Sequence, residues 1–355
     1  MKELGSPRAA GALGSSSTIP TRVGVVGAGS WGTALALLLH RNGHRVRLWS
    51  WDDAVVREVR EVGENRSFLP GTRIPEQLKV STDLEHVLDD AQLVVSVSPS
   101  QFVDSVMEQA VRWLPSDALV VSASKGIETR SLRRMDEVLA QHLSPEQHGR
   151  LCVLSGPSFA QEVAQAMPTA VVLASRSKEA RLEAQTAFSS DTFRVYTDPD
   201  VVGVELGGAV KNVIALAAGV AVGLGLGRNA QAALITRGLA EITRLGQCLG
   251  ADPLTFSGLA GVGDLVLTCT GELSRNRTVG VRLGQGEKLD RILGEMRAVA
   301  EGVRTTEAVH ELAGRHRVEM PITLQVHRML NGEVTPADAL RELMTRDPKP
   351  ERWGR

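Results

Sequence analysis

Cysteine is scarce in this sequence of 355 residues. The three cysteines, Cys152, Cys248 and Cys269, are an odd number without the spacing of a metal site. They argue against a disulfide framework and fit a reducing compartment. Cys269 is a candidate nucleophile, but no activating side chain stands near it in the sequence, which favours a buried structural thiol. We therefore predict neither a metal site nor a disulfide.

The sequence also lacks long apolar runs and an excess of either sign of charge. The longest uncharged stretch, residues 212–227, is too short and too rich in glycine to span a membrane. Residues 1–20 lack the apolar segment of a secretory signal and are interpreted as a flexible tail. The 40 basic and 41 acidic residues give a net charge of -1, which argues against binding nucleic acid by phosphate neutralisation. These absences predict a cytoplasmic protein without a membrane span or a nucleic-acid partner.

Short apolar strands alternate with helical segments in the first half of the chain. The predicted strands comprise residues 23–26, 45–49, 93–97, 118–121, 151–154, 170–173 and 193–196. This alternation predicts a doubly wound parallel sheet with helices on both faces. From residue 199 onward, helix signals replace strand alternation. We predict a tail at 1–20, an α/β domain at 21–198 and an all-α domain at 199–345.

A long apolar segment at residues 201–224 is interrupted by several glycines. They are Gly203, Gly207, Gly208, Gly219 and Gly223. Each glycine costs a helix about 1 kcal/mol relative to alanine. Their number therefore predicts close backbone packing against another helix, either within the chain or at a subunit contact.

A glycine-rich turn, Gly27-Ala28-Gly29-Ser30-Trp31-Gly32, follows the first predicted strand and begins a helix. Gly27 permits the tight turn, Gly29 lets a pyrophosphate approach the backbone, and Gly32 allows close helix–strand packing. The helix N-terminus supplies free N–H groups to the phosphates. We therefore predict that the first domain is of the Rossmann type and binds a dinucleotide.

The choice between NAD and NADP stays open. Asp52 lies 20 residues after Gly32, where NAD-binding proteins place an acid on the adenosine ribose. Asp52 and Asp53 are equally suited to cap the next helix. No arginine stands at this strand end to hold a 2′-phosphate.

Lysine is the scarcest charged residue, with 7 copies against 33 arginines. Lys125 follows a predicted strand, at the sheet edge where ligands of α/β folds bind. Lys211 lies within the apolar glycine-rich helix, where an ammonium is costly unless it is paired or its pKa falls. Such a lysine is a candidate acid–base group. The other interpretations are an ion-paired interior lysine at 211 and a surface lysine at 125.

Three further segments concentrate small and polar residues. Ser155-Gly156-Pro157-Ser158-Phe159-Ala160 follows a strand, and Gly261-Val262-Gly263-Asp264 places a carboxylate in a glycine loop. Ser274-Arg275-Asn276-Arg277 is suited to bidentate contacts with phosphate. Each segment is equally consistent with an ordinary turn or a solvated basic run.

Six of these motifs occur together in one order. In chain order they are residues 27–34, Ser124-Lys125-Gly126-Ile127-Glu128, the 155–160 segment, Gly207-Gly208-Ala209-Val210-Lys211-Asn212, Gly261-Val262-Gly263-Asp264-Leu265 and the 274–277 segment. Together they closely resemble the soluble NAD(P)-dependent glycerol-3-phosphate dehydrogenases, particularly the bacterial type. The resemblance covers residues 21 to about 340 and not the tail. It implies reversible hydride transfer between dihydroxyacetone phosphate and sn-glycerol 3-phosphate, used in bacteria for phospholipid synthesis, and a homodimer.

The resemblance also implies site residues. Lys211 matches the proton donor and acceptor. The implied substrate contacts are Lys125, Gly156, Ser158, Lys211, Asp264, Ser274, Arg275 and Asn276. Besides Gly27, Gly29 and Gly32 of the glycine turn, the implied cofactor contacts are Ser30, Trp31, Trp51, Lys125, Ala160, Arg275, Val299 and Glu301. Trp31 and Trp51 occupy positions where the family varies, and Trp51 departs from the basic or histidine side chain of some members.

Two alternatives stand beside this interpretation. A 3-hydroxyacid or sugar-acid dehydrogenase of the same fold would bind a carboxylate instead of a phosphate. A catalytically silent NAD(P)-sensing regulator would need neither Lys211 nor Lys125. Turnover of a hydroxy-phosphate substrate separates all three.

Overall fold

A computed structural model describes residues 21–296, 300–348 and 350–351. The predicted tail at 1–20 and the predicted cofactor contact Val299 lie outside the described residues. The strands are β1 Arg22–Val26, β2 Arg45–Trp49, β3 Lys79–Ser81, β4 Leu93–Ser96, β5 Leu119–Ser122, β6 Leu151–Ser155, β7 Thr169–Ala174 and β8 Phe193–Asp198.

Helices alternate with these strands and then form the rest of the described chain. Up to residue 198 they are α1 Ser30–Arg41, α2 Asp53–Val62, α3 Leu84–Leu88, α4 Val103–Ala110, α5 Met135–Ala140, α6 Pro145–His148, α7 Ala160–Ala164 and α8 Lys178–Phe188. After it they are α9 Val201–Gly223, α10 Arg228–Cys248, α11 Asp264–Thr270, α12 Arg275–Gly284, α13 Leu289–Gly294, α14 Glu301–His316, α15 Pro321–Leu330 and α16 Pro336–Met344. The predicted domain boundary at residue 198 falls between β8 and α9 and stays a prediction.

The described strands form one eight-stranded sheet in the order β3-β2-β1-β4-β5-β6-β7-β8. Neighbouring strands are parallel except β6 and β7, which are antiparallel. Buried valines and leucines on β1, β2, β4 and β5 pack between helices on both faces, as expected for a parallel sheet. The predicted Rossmann-type α/β fold followed by a helical region is confirmed.

Two details of the strand prediction are wrong. The three-residue strand β3 was not predicted, because Lys79-Val80-Ser81 is too short for an alternation to stand out. The sheet is also not wholly parallel, since β7 and β8 run opposite to the other six strands. The link between β6 and β7, residues 156–168, contains only the five-residue helix α7 and does not carry the chain back along the sheet before β7 begins. The chain therefore turns back at the edge where β6 ends.

Helix α9 is the core of the helical region. It is the one helix in the described ranges that is long and apolar enough to cross a membrane, but 89% of its most apolar window is buried inside the fold. Its glycines pack against α12, where Gly219 faces Gly280 and Gly223 faces Gly284. A Cβ atom on Gly280 would lie 2.1 Å from the Leu216 carbonyl oxygen. The predicted close helix packing is confirmed, and it occurs within the chain.

This contact makes Gly280 a sensitive position for stability. We expect Gly280→Ala to lower the free energy of unfolding by roughly 2–3 kcal/mol, because the new methyl group forces the two helices apart. Urea denaturation measures the change. Gly294→Ala is the matched control, since a Cβ atom there meets nothing within 4 Å. Equal unfolding midpoints for the two variants would contradict the prediction.

Candidate active site

Two lysines and one aspartate from distant parts of the chain form a buried ionic cluster. Lys211 on α9 donates to Asp264 Oδ1 at 2.5 Å, and Lys125, after β5, donates to Asp264 Oδ2 at 2.8 Å. The side chains of Lys211 and Asp264 are only 8% and 2% exposed, and that of Lys125 is 17% exposed. One carboxylate therefore holds two ammonium groups side by side.

Burial and charge set the protonation of this cluster. Burial, reinforced by the charge of Lys125, lowers the pKa of Lys211 to about 8, although Asp264 opposes the shift. Burial alone would raise the pKa of Asp264, but the two lysines outweigh it and hold that pKa below its ordinary value. Lys211 can therefore gain or lose a proton near neutral pH while Asp264 stays ionised.

The cluster depends on the absence of a side chain at Gly208, which lies one turn before Lys211. A Cβ atom on Gly208 would lie 2.6 Å from Ser155 Oγ and 3.6 Å from two side-chain carbons of Lys125. Helix α9 can therefore approach the ends of β5 and β6 closely enough for Lys211 and Lys125 to share Asp264.

Thr268 completes the polar surroundings of Lys211 and was missed in the sequence. Its Oγ1 accepts from Lys211 Nζ at 2.9 Å and donates to the Asp264 backbone carbonyl at 2.6 Å. The available signal was its position four residues after Asp264, which places the two on one face of α11. A threonine donating to a carbonyl one turn back is common in helices, so that spacing alone did not mark it.

The segment after β6 lies next to Lys125. Lys125 Nζ donates to the Gly156 carbonyl at 3.0 Å, and Ser158 Oγ donates to the same carbonyl, also at 3.0 Å. Ala160 begins α7 and packs against the core beneath the sheet edge. The turn therefore places the predicted contacts Gly156 and Ser158 directly beside the cluster.

The N-terminus of α12 brings the predicted phosphate-binding residues to α9. The Ser274 hydroxyl caps this helix by accepting from the Arg277 backbone amide, and Arg275 is exposed. Asn276 Nδ2 donates to Asn212 Oδ1 at 2.9 Å, and its Oδ1 accepts from the Gly302 amide at 2.9 Å. Asn276 thus links α12, α9 and α14. The second N–H of its side-chain amide has no acceptor among the described residues and can bind a ligand.

Glu301 connects the helical region to the sheet edge. Its carboxylate accepts from the Ser100 amide at 3.0 Å and from Ser100 Oγ at 2.5 Å. Burial raises the pKa of Glu301, although Ser100 and the charge of Arg275 oppose the shift. Glu301 and Arg275 therefore stand together near the residues that follow β4.

The glycine turn has the geometry of a dinucleotide cradle. Gly27 has φ +130°, and a Cβ atom there would lie 2.9 Å from the Val97 backbone. A Cβ atom on Gly32 would lie 1.8 Å from the Gly27 carbonyl oxygen, whereas one on Gly29 meets nothing within 4 Å. Gly29 provides no side-chain cap to α1, so the first N–H groups, beginning at Ser30, stay available. The indole N–H of Trp31 is also buried without an acceptor in the described part of the chain.

The end of β2 favours one of the two interpretations of Asp52. Its carboxylate accepts from the Ala54 amide at 2.8 Å, so it caps α2. Trp51 is 77% exposed beside it. In this structure Asp52 therefore caps α2, and this contact does not decide between NAD and NADP.

Two of the three cysteines, Cys152 and Cys269, are buried thiols. Burial raises the pKa of both Cys152 and Cys269 to about 12, which keeps each thiol protonated. The structural interpretation of Cys269 is therefore favoured. Across residues 21–296 and 300–348, no group of three or more His, Cys, Asp or Glu side chains is arranged to hold a metal ion.

Family models and curated proteins match nearly the whole chain. The family model described as NAD-dependent glycerol-3-phosphate dehydrogenase N-terminus matches residues 22–181, and its C-terminus counterpart matches residues 200–341. Proteins named glycerol-3-phosphate dehydrogenase [NAD(P)+] from Geobacter metallireducens and Geobacter sulfurreducens are 56% and 55% identical to the chain. These alignments cover 93% and 94% of this chain and 99% of each relative.

A solved structure extends the similarity to three dimensions. The crystal structure of glycerol-3-phosphate dehydrogenase from Coxiella burnetii is 42% identical and has a TM-score of 0.88. The alignment covers 92% of this chain and 99% of that one. Both regions of the fold are therefore shared with that enzyme.

Proposed function

Because this chain belongs to the NAD-dependent glycerol-3-phosphate dehydrogenase family, we propose that it interconverts dihydroxyacetone phosphate and sn-glycerol 3-phosphate. The cofactor of this family of oxidoreductases is NAD or NADP. The observation that carries the proposal is the pair of lysines on Asp264, with the pKa of Lys211 lowered to about 8. This cluster stands at the same sheet edge as the glycine turn.

Lys211 is the acid–base residue in this proposal. When hydride reaches the ketone carbon of dihydroxyacetone phosphate, negative charge develops on its oxygen, and the Lys211 ammonium protonates that oxygen. In the oxidising direction the neutral amine accepts the hydroxyl proton. Asp264 holds Lys211 in position, and Lys125 adds positive potential at the developing alkoxide.

In this proposal Arg275 binds the substrate phosphate. The remaining N–H of Asn276 and the residues at the start of α12 assist it. A guanidinium can donate two parallel hydrogen bonds to a phosphate, which fixes both its position and its orientation. Gly156 and Ser158 lie beside Lys125, where they contact the other end of a short triose. Ser274 contributes through the cap that orients Arg275 and Asn276.

The glycine turn fits a bound nicotinamide dinucleotide. Gly27, Gly29 and Gly32 leave room for the pyrophosphate, and the free N–H groups of Ser30 and Trp31 face its charge. A bound cofactor supplies or accepts the hydride. The remaining contacts are assigned to Trp51, Lys125, Ala160, Arg275, Val299 and Glu301.

The cellular role belongs to the same proposal. We infer that the enzyme works in the cytoplasm as a homodimer and supplies glycerol 3-phosphate for phospholipid synthesis. The bacterial origin of its similar relatives supports this role.

The decisive experiment follows the absorbance of the reduced nicotinamide. We expect oxidation of NADH or NADPH that depends on dihydroxyacetone phosphate. Hydroxyacetone, which lacks the phosphate, and a 3-oxoacid are the controls. Turnover of the oxoacid alone would support the rival hydroxyacid dehydrogenase, and no turnover with either substrate would support the sensing regulator.

Arg275 is the test of phosphate recognition. We expect Arg275→Gln to lower kcat/KM for dihydroxyacetone phosphate by about 100-fold, because two charge-assisted hydrogen bonds are lost. The KM should account for much of the loss. Arg176→Gln, which removes an exposed arginine elsewhere, is the control. An unchanged KM in the Arg275 variant would place the phosphate at another site.

A further inference from the structure

The N-terminal edge of the sheet, opposite the glycine turn, carries a concentration of positive charge. The first residues of the three neighbouring strands β1, β2 and β3 are Arg22, Arg45 and Lys79. Arg22 lies opposite Arg45 in the register, and Arg47 lies opposite Lys79. Because side chains alternate along a strand, these four cations share one face of the sheet.

A cavity of about 340 Å³ opens at this edge, and we call it the basic groove. Its lining includes Arg22, Arg45, Arg47 and Lys79, together with His40 and His44. Asp90 is the one carboxylate among the described lining residues. The groove therefore carries an excess of about three positive charges even when both histidines are neutral.

The short helix α3 explains why this face is open. It has five residues and covers only part of β1 and β2. Arg47 caps its end by donating to the carbonyls of His86 and Asp89, both at 2.9 Å. Arg47 therefore has a structural role. The open face of the sheet beyond it carries the other three cations, Arg22, Arg45 and Lys79.

The charges in the groove are not balanced within the described residues. The Asp90 carboxylate is already ion-paired with Arg22 at 3.2 Å and with Arg47 at 3.3 Å. In the ranges that the structure describes, the side chains of Arg45 and Lys79 have no hydrogen-bonding or ionic partner, and both are exposed. Like charges on adjacent strands are destabilising unless an anion lies between them.

The segment that precedes β1 in the sequence contains little negative charge that could neutralise the groove. Residues 1–20 precede β1 in the sequence and contain one carboxylate, Glu3, against the cations Lys2 and Arg8. A separate anionic ligand is therefore better suited than this segment to neutralise the cations of the basic groove.

We propose that the basic groove is a second ligand site for a small phosphorylated anion, held by Arg22, Arg45 and Lys79. Guanidinium and ammonium groups are the usual protein partners of phosphate oxygens. The concave shape favours a small molecule over a flat anionic surface. The site is separate from the cofactor and substrate sites, because it lies at the opposite ends of the strands.

Calorimetric titration with inorganic pyrophosphate tests the proposal. The enzyme is first saturated with reduced cofactor to occupy the glycine turn. We expect the double variant Arg45→Gln/Lys79→Gln to weaken pyrophosphate binding by about 10-fold or more, because two charge-assisted contacts are lost. Arg275→Gln should leave this binding component in place, which separates it from the substrate phosphate site.

The matched control is Arg176→Gln/Lys178→Gln, which removes the same charge from exposed positions elsewhere. Equal weakening in both double variants would reveal general charge screening and overturn the proposal. Binding unchanged in Arg45→Gln/Lys79→Gln would also overturn it. So would retention on phosphatidylglycerol vesicles without pyrophosphate binding, which would assign the groove to a lipid surface. If the double variant does not fold, Lys79→Gln alone makes the same comparison.

Discussion

Replacement of Lys211 by methionine is expected to lower kcat for reduction of dihydroxyacetone phosphate by about 10²–10⁴-fold, the usual contribution of a positioned general acid. Methionine has nearly the length of lysine and is apolar, so it suits the buried position on α9. Asp264 keeps its contact with Lys125 in this variant. The protein should therefore fold, and stopped-flow hydride transfer measures the loss.

The pH dependence of the native enzyme checks the same assignment. Because the pKa of Lys211 is about 8, the ammonium form is present below pH 8 and is lost above it. The kcat/KM for ketone reduction should therefore fall as the pH rises through about 8. The kcat/KM for alcohol oxidation should rise over the same interval, since it needs the neutral amine.

Two measurements separate a chemical role of Lys211 from a structural one. The Kd of the reduced cofactor, followed by fluorescence, should change little in Lys211→Met. Lys178→Met, at an exposed position, should keep native turnover and the native pH profile. Near-native turnover in Lys211→Met would eliminate Lys211 as the proton donor.

Replacement of Asp264 by asparagine is expected to damage stability and activity together. The change leaves two ammonium groups in a buried site without their counter-ion. Removing one partner of a buried ion pair typically costs about 3–5 kcal/mol. Partial solvent access at Lys125 reduces this cost, so we expect a loss of roughly 3 kcal/mol in the free energy of unfolding by urea denaturation.

The activity of Asp264→Asn should reveal why the carboxylate is needed. Burial and the charge of Lys125 lower the pKa of Lys211, and the Asp264 carboxylate opposes them. Without that carboxylate the pKa of Lys211 falls further. Less ammonium is then present at neutral pH, and ketone reduction should recover partly as the pH is lowered. Recovery at acidic pH is the result that a merely structural role would not produce.

Asp252→Asn provides the control for this variant. Asp252 is an exposed carboxylate that caps a short helix, so its replacement should cost about 1 kcal/mol or less and leave the pH profile unchanged. An Asp264 variant with native stability and a native pH profile would show that the two lysines do not depend on this carboxylate.

Local patterns predicted the parts of this molecule that depend on neighbours in the sequence. The turn from Gly27 to Gly32 was recognisable because a strand, a glycine turn and a helix follow one another directly. The glycines of α9 predicted a close helix contact, and Gly280 on α12 meets them. The direction of β7 was not predictable, because strand length and hydrophobicity are the same in either orientation.

Site contacts that cross long sequence separations depended on the fold. Thr268 looked like an ordinary helical threonine, and only the packing of α11 on α9 brings it to Lys211. Asn276 was predicted as a ligand contact, yet the fold also uses its amide to join Asn212 and Gly302. Asp52 had two possible roles, and the fold shows that its carboxylate caps α2.

By itself, the sequence determined the fold class, the dinucleotide turn and the two lysines that stand in improbable places. Those features follow from backbone conformation, hydrophobic periodicity and composition, which are local properties. The tertiary structure alone decided that Lys125 and Lys211, 86 positions apart in the chain, share the single carboxylate of Asp264. The lowered pKa of Lys211 is a consequence of that arrangement, because burial and the distance between charges exist only once the chain has folded.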